Sequence, residues 1–284
     1  MPLPPAPDRA ESPLVAEVAD AAFDLLGSGR QTAPFSAARP AFSMADAYLV
    51  TDAVRRRREA AGSRVVGRKI GFTNRTIWDE YGVRAPIWGY VYDTTRHELA
   101  EHADPARPFP LAGIAEPRIE PEIVFGFASA PDPAMDERAI LGCVAWVAHG
   151  FEIVQSIHPD WRFAAPDTVA AYGLHGALLV GPRRSLAGED LDAWTRDLAA
   201  FEIDILRDGE ALDHGRAANV LDGPLSALRH FVGLLAADPV NPGIAAGEVV
   251  TTGTLTKAFP IAPGQVWSTR LHGLPLAGIH VAFA

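Results

Sequence analysis

The sequence contains one cysteine in 284 residues, Cys143, so no intramolecular disulfide is open to it. That cysteine lies in an apolar run and reads as buried filler rather than as a nucleophile. No stretch approaches the roughly 18 apolar residues of a membrane span, and no basic-then-apolar leader opens the chain. Positive charge is scarce as well, with 25 Lys and Arg against 35 Asp and Glu and a formal net charge of −10. That balance argues against nucleic acid or an anionic membrane as partner, since both call for basic patches. The one dense basic run, Arg55-Arg56-Arg57-Arg58, ends a predicted helix. The helix dipole and solvation account for it, with phosphate binding as the alternative. There is no internal repeat, Walker loop, Rossmann glycine fingerprint, Gly-x-Ser-x-Gly elbow or His-Glu-x-x-His. Nucleotide binding, serine hydrolysis and zinc proteolysis lose their support accordingly. The expectation is a soluble, cytoplasmic protein.

What is present is ordinary globular material, 48% hydrophobic and 21% charged, enough for a sizeable core. Residues 1–11 are proline-rich. Ser12-Pro13 is a cap followed by a first-turn proline, and Leu14, Val18, Ala21, Ala22 and Leu25 follow at helical spacing. A second helix opens at Ser43, with Asp46 in the capping-box position, and runs to Gly62. Residues 1–62 thus form a helical preface packed on the main unit, because they offer too little apolar surface to stand alone. Residues 63–284 are β-rich and complete a single structural unit. Asp208-Gly209 marks a hairpin, and a helix follows Asp222 with Leu225, Leu228, Val232 and Leu235 on one stripe. The segment Ile157–Gly181 reads as irregular, and Tyr81–Gly89 as a turn-rich flap.

The chemistry concentrates in Arg118-Ile119-Glu120-Pro121-Glu122-Ile123-Val124-Phe125-Gly126. Its alternation reads as a strand, with Glu120 and Glu122 side by side on one face and Ile119, Ile123 and Phe125 on the other. Two carboxylates drawn out of water need a partner. Oxygen donors suit Mg²⁺ or Mn²⁺. The competing reading is an edge strand with a solvated acidic face, which Pro121 supports. Lys69, inside Val65–Thr73, either snorkels to the surface or is buried and needs an anion. Val144–Val154 reads as a further strand carrying Glu152, with His149 on its opposite face.

Gly67-Arg68-Lys69-Ile70-Gly71-Phe72-Thr73, the Tyr81–Gly89 loop, Ile119-Glu120-Pro121-Glu122-Ile123, Phe151-Glu152-Ile153-Val154 and Thr252-Gly253-Thr254-Leu255-Thr256 occur in that order. Together they resemble the 2-keto-4-pentenoate hydratase / 4-oxalocrotonate decarboxylase family of the fumarylacetoacetate hydrolase-like superfamily, over about residues 10–284. The resemblance implies an α+β fold, a mixed β-sandwich or roll of the fumarylacetoacetate hydrolase C-terminal type behind the helical preface. It implies a Mg²⁺ or Mn²⁺ site on Glu120, Glu122 and Glu152, Lys69 facing the substrate, and homo-oligomers. Phe72, Thr73 and Thr254 lie in the matching motifs as substrate-side candidates. The implied substrate is a small 2-oxo or 2-hydroxydienoic acid, whose enolate the metal stabilises. The implied activity is a hydro-lyase reaction of aromatic catabolism. Decarboxylation or carbon–carbon cleavage of a 2-oxo diacid, and non-catalytic oxoacid binding, are the alternatives.

The chain departs from the family pattern where Gln155-Ser156-Ile157 replaces Asp-Ser-Arg and Ala171-Tyr172 replaces Asp-Asn. Gln155 is thereby a candidate substrate contact. His175 is either a replacement acid or base or a hydrogen-bonded structural histidine. Lys257 is either a second cation for the substrate or a solvated turn lysine. Trp88 and Trp161, in loop-like stretches, are expected in a subunit interface or against the N-terminal helices.

Overall fold

The computed structural model describes residues 12–75, 78–81 and 83–284. Its helices are α1 (Pro13–Leu25), α2 (Met44–Ala60), α3 (Trp78–Tyr81), α4 (Glu137–Leu141), α5 (Ala165–Ala170), α6 (Leu191–Ala200) and α7 (Pro224–Ala237). Its strands are β1 (Val65–Gly71), β2 (Ile87–Tyr92), β3 (Arg96–Glu98), β4 (Arg118–Phe127), β5 (Val144–Val154), β6 (His175–Ser185), β7 (Glu202–Arg207), β8 (Glu210–Arg216), β9 (Val249–Thr251), β10 (Phe259–Pro260), β11 (Val266–His272) and β12 (His280–Ala282). None of the described helices is long and apolar enough to cross a membrane.

Local signals set several boundaries. Ser12 caps α1 through Val15 N–H at 3.3 Å, and Ser43 and Asp46 close a reciprocal capping box on α2. Asp208 and Gly209 both adopt positive φ, 51° and 87°, the geometry of a tight turn matched to strand twist, and join β7 to β8.

The larger sheet runs β2-β1-β9-β4-β5-β6-β3, with β10 added to β4, and the smaller runs β12-β11-β7-β8. Ile119, Phe151 and Ile153 of the larger sheet meet Ile205, Trp267 and Val281 of the smaller in one apolar core. Further along β4, Ile123 and Phe125 pack against Ile140 of α4, Leu198 of α6 and Phe231 of α7. Helices α1, α2 and α5 share a third cluster with Ile87, Val154 and Ile157, so the preface is anchored through apolar contacts to the β-rich part.

Three expectations change. The strand β4 is interior, between β5 and β9, so the edge-strand reading fails. Pro121 is tolerated because it falls in the gap between Ile119, where β10 pairs, and Val124, where β9 begins to pair. Ile157–Gly181 is partly regular, since Pro166 in the first turn starts α5 and β6 begins at His175. The flap is reduced as well, since Ile87–Tyr92 is a fully buried strand; Gly82 lies outside the described residues. Trp88 belongs to the core, stacked on Tyr48 of α2 with centroids 5.4 Å apart, which is the helix-packed outcome. Trp161 is partly buried against the cluster that holds the preface helices, and Arg118 lies 4.1 Å over its ring.

Candidate metal centre and active-site cavity

The antiparallel ladder between β4 and β5 sets Glu120 opposite Glu152. Glu122 follows two residues along the same face. Together the three carboxylates offer one oxygen each, all within 4.8 Å of one another. Glu122 and Glu152 are completely buried and Glu120 is half-buried. Val124 and Ala148, further along the same face of β4 and β5, belong to a buried apolar cluster with Val91, Leu178, Val180 and Val249.

Lys69 reaches this face from β1. In a flat sheet β1 and β5 would be three strand spacings apart, about 14 Å, beyond the reach of a lysine. The sheet curls, and Lys69 Nζ comes to 3.3 Å from Glu152 Oε2 while donating to the Gly173 carbonyl at 2.9 Å. Lys69 is therefore buried and paired, the second of its two sequence readings. Burial by itself would lower its pKa, but Glu152, Glu120 and Glu122 together hold it above the usual lysine value.

The carboxylates respond in opposite directions. Burial lifts Glu120 to about 7, with Lys69 working against the lift. Glu122 is raised well above the carboxylate range by burial, then by Glu152 and Glu120. Burial would raise Glu152 too, yet Lys69 and the hydrogen bond from His175 keep it below its ordinary value.

Two further elements fix the carboxylates. Gly253 N–H donates to Glu122 Oε2 at 2.7 Å. Only glycine serves there, because φ is +97° and a Cβ would meet Thr73 Oγ1 at 2.0 Å. Behind Glu152, His175 Nδ1 donates to Oε1 at 2.9 Å, and its Nε2 lies 2.9 Å from Thr95 Oγ1. His149, on the far face, bonds the Glu122 carbonyl and Thr269, and burial lowers it to about 4.

The residues fit a divalent cation. Glu122 Oε1 is a buried acceptor without a hydrogen-bond donor among the described residues, and Glu152 Oε2 has only its 3.3 Å ion pair with Lys69. Such atoms are costly unless a cation takes them. An all-carboxylate donor set of this kind suits a hard ion of the Mg²⁺ or Mn²⁺ type.

A cavity of about 600 Å³ opens beside the centre, and Glu120 and Lys69 reach it. Phe72, Thr73, Thr254 and Lys257, all singled out in the sequence, line it. Two do not. His175 is buried behind Glu152, whose carboxylate it bonds, and is not among the described residues lining the cavity. Gln155 lines a separate cavity, where it accepts from Ala115 N–H and donates to the His175 carbonyl. Arg118 also lines the cavity beside the centre and was missed. It stands two residues before Glu120 on the same strand face, so the alternation that paired the two glutamates already carried the signal.

The curled sheet closed by a smaller one, with carboxylates on its inner face, is the fumarylacetoacetate hydrolase-like fold. A solved protein from Yersinia pestis, described as a fumarylacetoacetate hydrolase family protein, superposes with a TM-score of 0.54 over 76% of this chain and 92% of its own at 12% identity. The 4-oxalocrotonate decarboxylase of Pseudomonas putida G7, solved with magnesium and adipate, superposes with a TM-score of 0.83 at 25% identity over 95% of this chain and 97% of its own. In sequence, the 2-hydroxyhexa-2,4-dienoate hydratase of Comamonas testosteroni is 30% identical over 258 residues, 90% of this chain and 93% of the relative. No family model matches the chain. It belongs to the 2-keto-4-pentenoate hydratase / 4-oxalocrotonate decarboxylase family.

Proposed function

We propose that this chain is a metal-dependent hydro-lyase that adds water to a 2-hydroxy-2,4-dienoate, giving a 4-hydroxy-2-oxo acid. The observation that carries the reading is the meeting of Glu120, Glu122, Glu152 and Lys69 at one wall of a cavity of about 600 Å³. Glu120, Glu122 and Glu152 would hold Mg²⁺ or Mn²⁺. When bound, that ion supplies Lewis acidity toward a 2-oxo carboxylate and its enolate.

The chain's own residues divide the remaining work. Lys69, kept as an ammonium by three carboxylates, holds a proton beside the substrate's carboxylate and 2-oxygen. Phe72, Ile87, Val154, Leu174 and Phe163 give the hydrocarbon chain an apolar wall and limit stray water. The net reaction adds one water: its hydroxyl goes to C4, and its proton together with the proton released by the 2-hydroxyl goes to C3 and C5, leaving a 2-oxo group.

Decarboxylation of a 2-oxo diacid is the second reading. It is favoured by Arg118 and Lys257, two cations on the same cavity that could take a distal carboxylate. Incubation of the Mg²⁺-loaded protein with 2-hydroxypenta-2,4-dienoate and with 4-oxalocrotonate separates the two. Loss of the dienoate chromophore without CO₂ supports hydration, and CO₂ from the diacid alone supports the second reading. Binding of both acids without turnover would overturn the enzymatic proposal.

A further inference from the structure

A second cavity, of about 590 Å³, lies between the N-terminal helices and the β3 side of the larger sheet. None of the described residues lining it is Asp or Glu. Its wall includes Arg58, the last residue of the basic run on α2.

The other three arginines of that run are accounted for. Arg55 pairs with Asp52 at 2.5 Å and Glu59 at 2.6 Å, Arg56 with Asp52 at 3.1 Å, and Arg57 with Asp20 at 2.7 Å. Arg58 differs from all of them. It is 9% exposed, and no carboxylate forms an ion pair with it among the described residues. Its guanidinium lies 4.0 Å over the Tyr92 ring, and one nitrogen donates to Thr94 Oγ1 at 2.6 Å. Asp93, its neighbour in sequence to Thr94, is engaged by Arg64 at 3.0 Å. Burial lowers the Arg58 pKa, opposed by Tyr92, then Tyr172 and the longer-range charge of Asp93, which forms no ion pair with it.

A guanidinium carries five donors, and one hydroxyl and one ring face leave most of its capacity unused. Taking such a charge out of water without an anion is unfavourable, so the site is built for a negative partner that the chain does not supply. Thr94, Thr95 and Ser63 add hydroxyls around it, and His102 adds a buried Nδ1 without a partner among the described residues. Phe23, Leu26, Phe109 and Ile114 make the rest of the wall apolar. Simple phosphate or sulfate would waste that apolar surface. A carboxylate on an aromatic or short aliphatic body uses both parts.

We propose that this cavity is a second binding site, distinct from the metal centre, which takes a small organic carboxylate on Arg58 with its apolar body against Phe23 and Phe109.

Calorimetric titration of the full-length protein with benzoate, in EDTA so that no metal recruits the anion, tests this without reference to turnover. One benzoate per chain is expected. Arg58→Met should weaken it at least about tenfold, the scale of one lost charge-assisted hydrogen bond. Ala112→Trp, on the exposed rim, obstructs the cavity while leaving the guanidinium in place, and should weaken binding similarly. It keeps the test decisive if Arg58→Met fails to fold. Arg118→Met, in the catalytic cavity, should leave benzoate affinity unchanged. Inorganic phosphate should bind at least about tenfold more weakly than benzoate. Absence of saturable binding would overturn the proposal, as would binding that survives Ala112→Trp or is lost in Arg118→Met. Phosphate binding as tight as benzoate would overturn the organic class of the ligand.

Discussion

Glu120 and Glu152 face each other directly across the β4–β5 ladder, two like charges at a position where opposed strands bring side chains closest. A pair of this kind destabilises the sheet unless a cation is shared between them. Lys69 answers part of that demand, from 3.3 Å.

Metal removal should invert the usual pH dependence of stability. Glu120 is raised to about 7 and Glu122 is raised well above an unfolded value near 4.3. The folded chain therefore holds protons that the unfolded chain releases between those values, and stability increases as pH falls through this window. Below it the sign reverses, because Glu152 is depressed and its contribution is lost on acidification. In EDTA, calorimetry should give a higher Tm at pH 5.5 than at pH 8, and Glu122→Gln should flatten the difference. Equal Tm values in the unaltered chain would show that the cluster is not charge-frustrated.

Loss of Lys69 should separate chemistry from metal binding. Lys69→Met retains the length and apolar stem of the side chain. Turnover should drop by about 10²-fold or more, the usual scale for an acid–base group. Mn²⁺ affinity should hold or improve, because a competing cation leaves Glu152. Weaker Mn²⁺ binding measured by titration calorimetry would make Lys69 part of the scaffold.

His175 should act on the metal through Glu152. Without the 2.9 Å hydrogen bond the carboxylate loses its fixed orientation. Mn²⁺ affinity of His175→Ala is expected to fall by about 10- to 100-fold, typical of an outer hydrogen-bond partner. Unchanged affinity, with turnover lost, would return His175 to the list of catalytic groups.

Gly253 should tolerate no side chain. The positive φ alone is worth on the order of 1–3 kcal/mol against alanine, and Thr73 blocks the Cβ. Gly253→Ala should lower the urea midpoint and the Mn²⁺ affinity together, since its N–H fixes Glu122. Independent behaviour of the two would break that link.

Much of the centre was legible before any coordinates. Period-two alternation placed Glu120 and Glu122 on one face, and the family resemblance supplied Glu152 and Lys69. Carried one residue past the end of β5, the same alternation turns Gln155 away from Glu152, and Gln155 lines a cavity apart from the centre. Motif position had argued otherwise, and the strand geometry prevailed. The place of His175 could not be read, because its second partner is Thr95, 80 residues away and brought near only by β3 pairing with β6. Trp88 looked like a loop aromatic because the glycine and proline around it hide a short buried strand. The curl that lets Lys69 cross to Glu152 is a property of the whole sheet, with no local signal.

The lysine among the three glutamates also has an effect far from the centre. With a divalent ion bound, the positive and negative charges there cancel, so the site exerts almost no pull on an approaching anion. The chain as a whole carries a formal −10. Among the described residues lining the cavity, Arg118 and Lys257 are the cations outside the cluster, and on the proposed reading they would draw an acidic substrate inward against that background. Capture should therefore quicken as ionic strength rises, because salt screens the long-range repulsion more than it weakens two short-range contacts.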